Sequence, residues 1–284
     1  DTFTAFFTCL QPSAQTMQSA YYKSSETVRL AGRKSSMLLI DELFMFLCHL
    51  KAGLLKQDHS IIFNCPLATV SRKIVTWANF LYFVLGAIPI LSLREVVQKL
   101  MPESFRALYP STWVIIDCTD IRTQQPSSLT PRHFQITKMP TRLLGIAPHA
   151  AITFISKLYT GCIYDVKIAN LSGLLDLLEH GDDAKADKGF TLHKSLDKKG
   201  ITLHIPDFPS IKRQFSISKL EKTQQIAKLR IHIEHMNRHI NKNHLFNYPI
   251  PLSLTGSINQ LWSVACLLAN FRGPTVQAWS NVGS

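Results

Sequence analysis

The chain has 284 residues, 46% of them hydrophobic, enough to bury a sizeable core and to exclude an intrinsically disordered polymer. Lys and Arg outnumber Asp and Glu by 31 to 19, a formal charge of +12 with a pI near 9.5. A polyanionic partner is therefore expected, nucleic acid first and an anionic membrane surface second.

The six cysteines stand at 9, 48, 65, 118, 162 and 266 without zinc-ligand spacing, and the opening residues do not read as a secretory signal. Reduced thiols in an intracellular protein are the expectation. The first residue is Asp1, which fits a fragment of a longer chain. Residues 1–36 show no clear period and are read as a loose lead-in.

Apolar residues at Leu39, Leu43, Phe46, Leu47 and Leu50 form a helical stripe over Met37 to Leu50, with Ser36 as N-cap and Gly53 as terminator. A short helix over Lys56 to Phe63, a turn at Asn64-Cys65-Pro66 and a longer helix from Leu67 follow the layout of a helix-turn-helix. Thr69, Ser71, Arg72 and Lys73 in the first turns of the longer helix would offer hydroxyls and cations to a DNA groove. An ordinary helical pair is the other reading. Val75 to Leu93 runs 19 residues without a charge, long enough for a membrane span, but Asn79, Gly86 and Pro89 interrupt it and favour a helix in water. A further helix over Leu93 to Leu108 should break at Pro102, and Tyr109-Pro110 marks a domain boundary. Residues 37–108 are thus expected to form an all-α region.

Val114, Ile115 and Ile116 have the β-branched, apolar character of a buried strand that ends abruptly at Asp117, with Asp120 close behind. An aspartate there caps a turn or binds metal; burying it alone is costly. After a polar segment from Arg122 to Pro140, Leu143 to Ala147 and Ile152 to Tyr159 read as a strand pair. Helix is expected over Ile168 to Glu179, a strand over Ala184 to Ala186 ending at Asp187, a helix over Thr191 to Lys199 and a strand over Ile201 to Ile205. That order implies a mixed α/β sheet. Twice, an aspartate stands where an apolar strand stops.

Ile226, Leu229, Ile233, Met236 and Ile240 then mark the apolar face of a helix. Arg230, Glu234, Asn237 and Asn241 lie on the adjoining stripe. From Asp207 to Phe246 there are eight Lys or Arg against three acids, so Lys212, Arg213, Arg230 and Lys242 are candidate DNA contacts. His232, His235 and His239 share this helix; without an acid or cysteine at matching spacing, they read as solvated histidines rather than zinc ligands. Ser257 to Phe271 reads as a core helix.

Asp117, Asp187 and Glu234 are then placed at two strand ends and on a helix facing the sheet. Crowded carboxylates repel, and hard divalent ions such as Mg²⁺ or Mn²⁺ relieve the repulsion; two such ions can drive phosphodiester chemistry. At this point the sequence resembles the Harbinger-type DDE transposases and the vertebrate proteins derived from them. The matching pieces are DELFMFLCHLKAGL, TVSR, MPESFRALYP, VIIDCTDI followed by PSS, LLGIAPHAAITFISKLYTG, YDVKIANLSGLLDLLEHGD, ADKGF, TLHIPDF and IAKLRIHIEH, in the family's order from about Asp41 to Pro274.

The resemblance implies an α/β, ribonuclease H-like mixed sheet with flanking helices over 111–274, after a helix-turn-helix region and before a tail at 275–284. It implies a metal-dependent DNA endonuclease and strand transferase in the nucleus, also reaching the cytoplasm, with DNA as partner and a separate DNA-binding protein as a second one. Its catalytic acids fall on Asp117, Asp187 and Glu234, and Asp165 joins them as a metal ligand. Arg230 keeps the family's spacing to Glu234. Two departures concern charge, Asn241 where relatives carry a phosphate-binding Lys and His235 where an Arg follows the Glu; a third is milder, Asp120 where a Glu flanks the first Asp. They set a catalytically inactive, domesticated DNA-binding protein as the alternative to a working nuclease.

Overall fold

The computed structural model describes residues 2–17, 37–124, 140–159, 163–187, 189–190, 196–205, 234 and 236–271. They fall into two compact units: residues 1–88, 242–248 and 253–265 in the first, and 89–241, 249–252 and 266–284 in the second.

The first unit is helical. Helices α2 (Leu39–Ala52), α3 (Lys56–Ile62) and α4 (Leu67–Gly86) follow one another closely. Leu43, Phe46 and Leu50 of α2 pack with Val70, Ile74, Trp77 and Leu81 of α4, all at most 1% exposed. Gly53 ends α2 in the left-handed region at φ +67°, its N–H returning to the His49 carbonyl. A β-carbon there would also come within 2.9 Å of the His244 carbonyl carbon, so both conformation and space require glycine. In the turn between α3 and α4, Asn64 takes φ +45°, which its side chain tolerates better than most, and Ser60 Oγ donates to the Cys65 carbonyl at 2.6 Å. The Asp58 carboxylate caps α3 by accepting the Leu55 N–H at 2.9 Å.

Two sequence readings change in this unit. The supposed loose lead-in contains a helix, α1 (Thr2–Ala14), with Leu10 and Ala14 buried and Phe3 edge-on to Phe44 at 5.9 Å. Its order comes from docking an aromatic residue onto α2, which local periodicity does not report. The uncharged run from Val75 is the second half of α4; the helix stops at Gly86, and among the described residues no helix is long and apolar enough to cross a membrane.

In the second unit Pro102 separates α5 (Arg94–Lys99) from α6 (Glu103–Leu108). A five-stranded sheet follows, in the order β3-β2-β1-β4-β5. Its strands are β1 (Thr112–Asp120), β2 (Thr141–Ile146), β3 (Ile152–Ile155), β4 (Asp183–Lys185) and β5 (Thr202–His204). β1 and β3 flank β2 antiparallel, while β4 runs parallel to both β1 and β5. This mixed sheet with flanking helices is the ribonuclease H-like arrangement the sequence implies. β1 is central, so Trp113 to Ile116 are buried at 5% or less and its polar residues collect at its C-terminal end. Gly145 of β2 leaves room for Phe154 and Val114, whose side-chain carbons would lie 2.9 and 3.0 Å from an added β-carbon.

Helix α7 (Asp165–Leu171) is shorter than the periodicity suggests, because Gly173 at φ +82° breaks it before a 3₁₀ turn at Leu174–Asp176. The chain is again helical at residue 234 and over 236–241 (α8), with Met236 and Ile240 buried. The last helix is α9 (Ile258–Asn270). Lys185 is fully buried under the Tyr109 and Phe105 rings, its ammonium 3.1 and 5.1 Å from their centroids.

Candidate active site

The candidate site lies at the C-terminal end of β1. Ile115 pairs with Lys185 in the parallel β1–β4 ladder, and Asp117 and Asp187 each follow two residues after that pair. Both aspartates follow directly on buried segments and are half-buried. Asp120, at the end of β1, accepts a hydrogen bond from the Thr141 hydroxyl at 2.5 Å. Asp165 enters from the first turn of α7, where the helix dipole favours an anion.

The neighbouring acids influence one another's charge. Burial raises the Asp165 carboxyl above the usual carboxylate range; a hydrogen bond from Cys118 offsets part of the rise, and the charges of Asp120 and Asp187 add to it. Cys118 stands among the same acids. Burial pushes its thiol up, and Asp165, Asp117 and Asp120 push it further. The loop after Asp187 passes against Asp165, so that a β-carbon on Gly189 would lie 2.7 Å from Asp165 Oδ2. The glycine of the Asp-Lys-Gly-Phe stretch thus lets that carboxylate approach.

Glu234 is exposed on α8. One turn further along this helix, Asn237 Nδ2 donates to Asp117 Oδ2 at 2.7 Å, and Asn237 Oδ1 accepts from the Thr119 hydroxyl at 3.4 Å. Asn237 thus ties α8, the helix that carries Glu234 one turn earlier, to the end of β1. Asp165 thus stands near Asp120 and Asp187, and Glu234 lies on a helix tied to Asp117. Among the described residues no three His, Cys, Asp or Glu side chains are arranged to hold an ion; the acids meet pairwise. The donor set is carboxylate oxygen, which suits a hard divalent cation.

The profile of the DDE superfamily endonuclease family matches residues 116–270, more than half of the chain. The chain belongs to the DDE superfamily endonucleases. A second profile, the helix-turn-helix of DDE superfamily endonucleases, matches residues 35–87, which hold α2, α3 and α4. No curated protein and no solved structure matches.

In this DDE endonuclease the helix-turn-helix residues divide by environment. Arg72 is exposed and lies along α4, its guanidinium 3.3 Å from the Ala68 carbonyl and 3.4 Å from the Thr69 hydroxyl. Ser71 is half-buried. Lys73 turns inward, where its ammonium is 2.5 Å from the fully buried Glu42 carboxylate, which also accepts the Trp77 indole N–H at 3.2 Å. The expectation that Lys73 offers its charge to DNA meets this pairing: the cation is already neutralised inside the helical unit.

Lys242 is exposed, and its carbonyl accepts the Lys51 ammonium at 2.9 Å. Lys212, Arg213 and Arg230, and likewise His232 and His235, lie outside the described residues; Asn241 is exposed. Two participants were missed from sequence. Asn237 carried a faint signal, a polar residue one turn beyond Glu234 on the same stripe. Cys118 carried none, since a cysteine in a strand reads as core filler.

Proposed function

We propose that the chain is a Harbinger-type, transposase-derived DNA endonuclease and strand transferase that depends on Mg²⁺ or Mn²⁺. The observation that supports this reading is that Asp165 feels the charges of Asp120 and Asp187 while Asn237, on the helix of Glu234, donates to Asp117. In this reading Asp117, Asp165, Asp187 and Glu234 hold the metal. A pair of divalent ions there would supply an activated water and a stabilised leaving oxygen. The residues themselves do the positioning. The β1–β2 ladder holds Asp117 on rigid backbone, Gly189 lets Asp165 approach, and α8, bonded to Asp117 through Asn237, would carry Glu234.

DNA would be held by Thr69, Ser71 and Arg72 on α4 and by the basic stretch containing Lys212, Arg213, Arg230 and Lys242. Lys73 contributes by holding α4 in place. The nucleus is the compartment where such a protein meets its substrate, and a separate DNA-binding protein would supply target choice.

Cleavage is expected to be slow. Asn241 is neutral where relatives place a phosphate-binding Lys, and His235 stands where relatives carry an Arg. Loss of one such charge-stabilising donor costs on the order of 10²–10³ in rate. This observation favours, as the second reading, a DNA-binding protein that no longer cuts. The deciding assay is Mn²⁺-dependent nicking of supercoiled DNA by the unmodified chain, Asp187→Asn and the double variant Asn241→Lys with His235→Arg. Weak nicking that the double variant raises and Asp187→Asn abolishes supports the nuclease. Absence of nicking in all three, with DNA binding intact, supports the second reading.

A further inference from the structure

Resting on the metal-site reading above, we propose that Asn237 is a positioning residue of the catalytic centre, which orients the Asp117 carboxylate and locks the Glu234 helix to the end of β1. A carboxylate only accepts hydrogen bonds, so the amide has one sensible orientation: Nδ2 faces Asp117 Oδ2 at 2.7 Å, and Oδ1 faces the Thr119 hydroxyl at 3.4 Å. Both halves of the amide are used, and both partners belong to the last four residues of β1. A hydrogen bond to a charged acceptor is short and about twice as strong as a neutral one. The bond therefore holds Asp117 Oδ2 against α8 and presents the carboxylate in one rotamer.

It also bridges 120 residues of sequence, joining the first catalytic acid to the helix of the last. A Lys or Arg at position 237 would add charge to the centre and compete with a divalent cation. A neutral donor orients the carboxylate without that competition. Removing a partner that orients a metal ligand lowers metal affinity roughly 10- to 100-fold.

The test is Mn²⁺ affinity of the full chain, by calorimetry and by the Mn²⁺ electron paramagnetic resonance signal, with melting measured in chelator and in excess Mn²⁺. Asn237→Leu keeps the branched shape and removes the donor; it should weaken Mn²⁺ binding about 10- to 100-fold. Asn237→Asp keeps the shape and turns the donor into a second carboxylate against Asp117. It should melt below the unmodified chain in chelator and gain more than the unmodified chain from Mn²⁺, which a space-filling role would not produce. Should Asn237→Leu fail to fold, the Asn237→Asp comparison decides alone. Equal Mn²⁺ affinity in Asn237→Leu and the unmodified chain, or identical melting behaviour of Asn237→Asp and the unmodified chain, overturns the role of Asn237 while leaving the metal site standing. Absence of Mn²⁺ binding in the unmodified chain, indistinguishable from Asp117→Asn, overturns both.

Discussion

Replacing Lys73 by Met separates a DNA contact from a folding device. The Lys73 ammonium stands 2.5 Å from a Glu42 carboxylate that is fully buried, and Trp77, one turn further along α4, donates to the other carboxylate oxygen. Glu42 belongs to α2, so the cluster fastens α2 to α4. Lys73→Met keeps the aliphatic stem but leaves the carboxylate buried without this cation, which typically costs about 3–5 kcal/mol. Against a total stability on the order of 5–15 kcal/mol, that is a large fraction. For a unit of this size it corresponds to a fall in melting temperature of more than about 10 °C. Combining Glu42→Gln with Lys73→Met removes both charges and should recover most of the loss.

Arg72→Ala is the contrast. Its guanidinium is exposed and its contacts within α4 are long, so its loss should change stability by no more than about 0.5 kcal/mol. It should instead weaken DNA binding and lower the log–log salt slope by roughly 0.9, one phosphate contact. Thermal and urea unfolding followed by circular dichroism, with anisotropy of a labelled duplex at a temperature where all variants are folded, reads both effects. A Lys73→Met chain that melts like the original while losing DNA affinity would refute the burial argument and return Lys73 to the groove.

Further outcomes follow from other parts of the fold. His49 and His59 are buried ring to ring, 5.4 Å apart, between α2 and α3. Burial, then the neighbouring His59 and Lys56 charges, push His49 down to about 4, against the bond to the Leu54 carbonyl; burial lowers His59 too, opposed by Asp58. The unfolded chain takes up these protons first, so stability is fully present above about 6.5 and is lost as pH falls toward 4. The His49 share is about 3 kcal/mol, and urea unfolding at pH 7 and pH 5 should show the slope, flattened in His49→Leu. Gly53→Ala forces a β-carbon onto the His244 carbonyl at positive φ and should destabilise by about 1–3 kcal/mol in the same unfolding assay. Lys185→Met exchanges a fully buried ammonium for an apolar chain of similar size. Relief of desolvation should exceed the lost ring contacts, raising stability by on the order of 1–3 kcal/mol in urea unfolding.

Sequence alone carried the parts of this protein that depend on near neighbours along the chain. The apolar stripe of α2, the short helix, turn and helix ahead of Trp77, the break at Pro102 and the β-branched run that stops at Asp117 are all readable within a few residues, because helix and strand periods repeat over that distance. The succession of strand-like runs and helices made a mixed sheet legible, while the order of its strands came from the structure. Tertiary structure decided what neighbours cannot: that Lys73 is taken by Glu42, 31 positions earlier, that α1 orders by placing Phe3 on Phe44, and that Asp165 feels Asp120 and Asp187. It also decided that Asn237 donates to Asp117. Each is a contact between residues far apart in sequence, set by strand register and helix docking. A polar side chain's partner is chosen by the three-dimensional path of the backbone, and no local period records it.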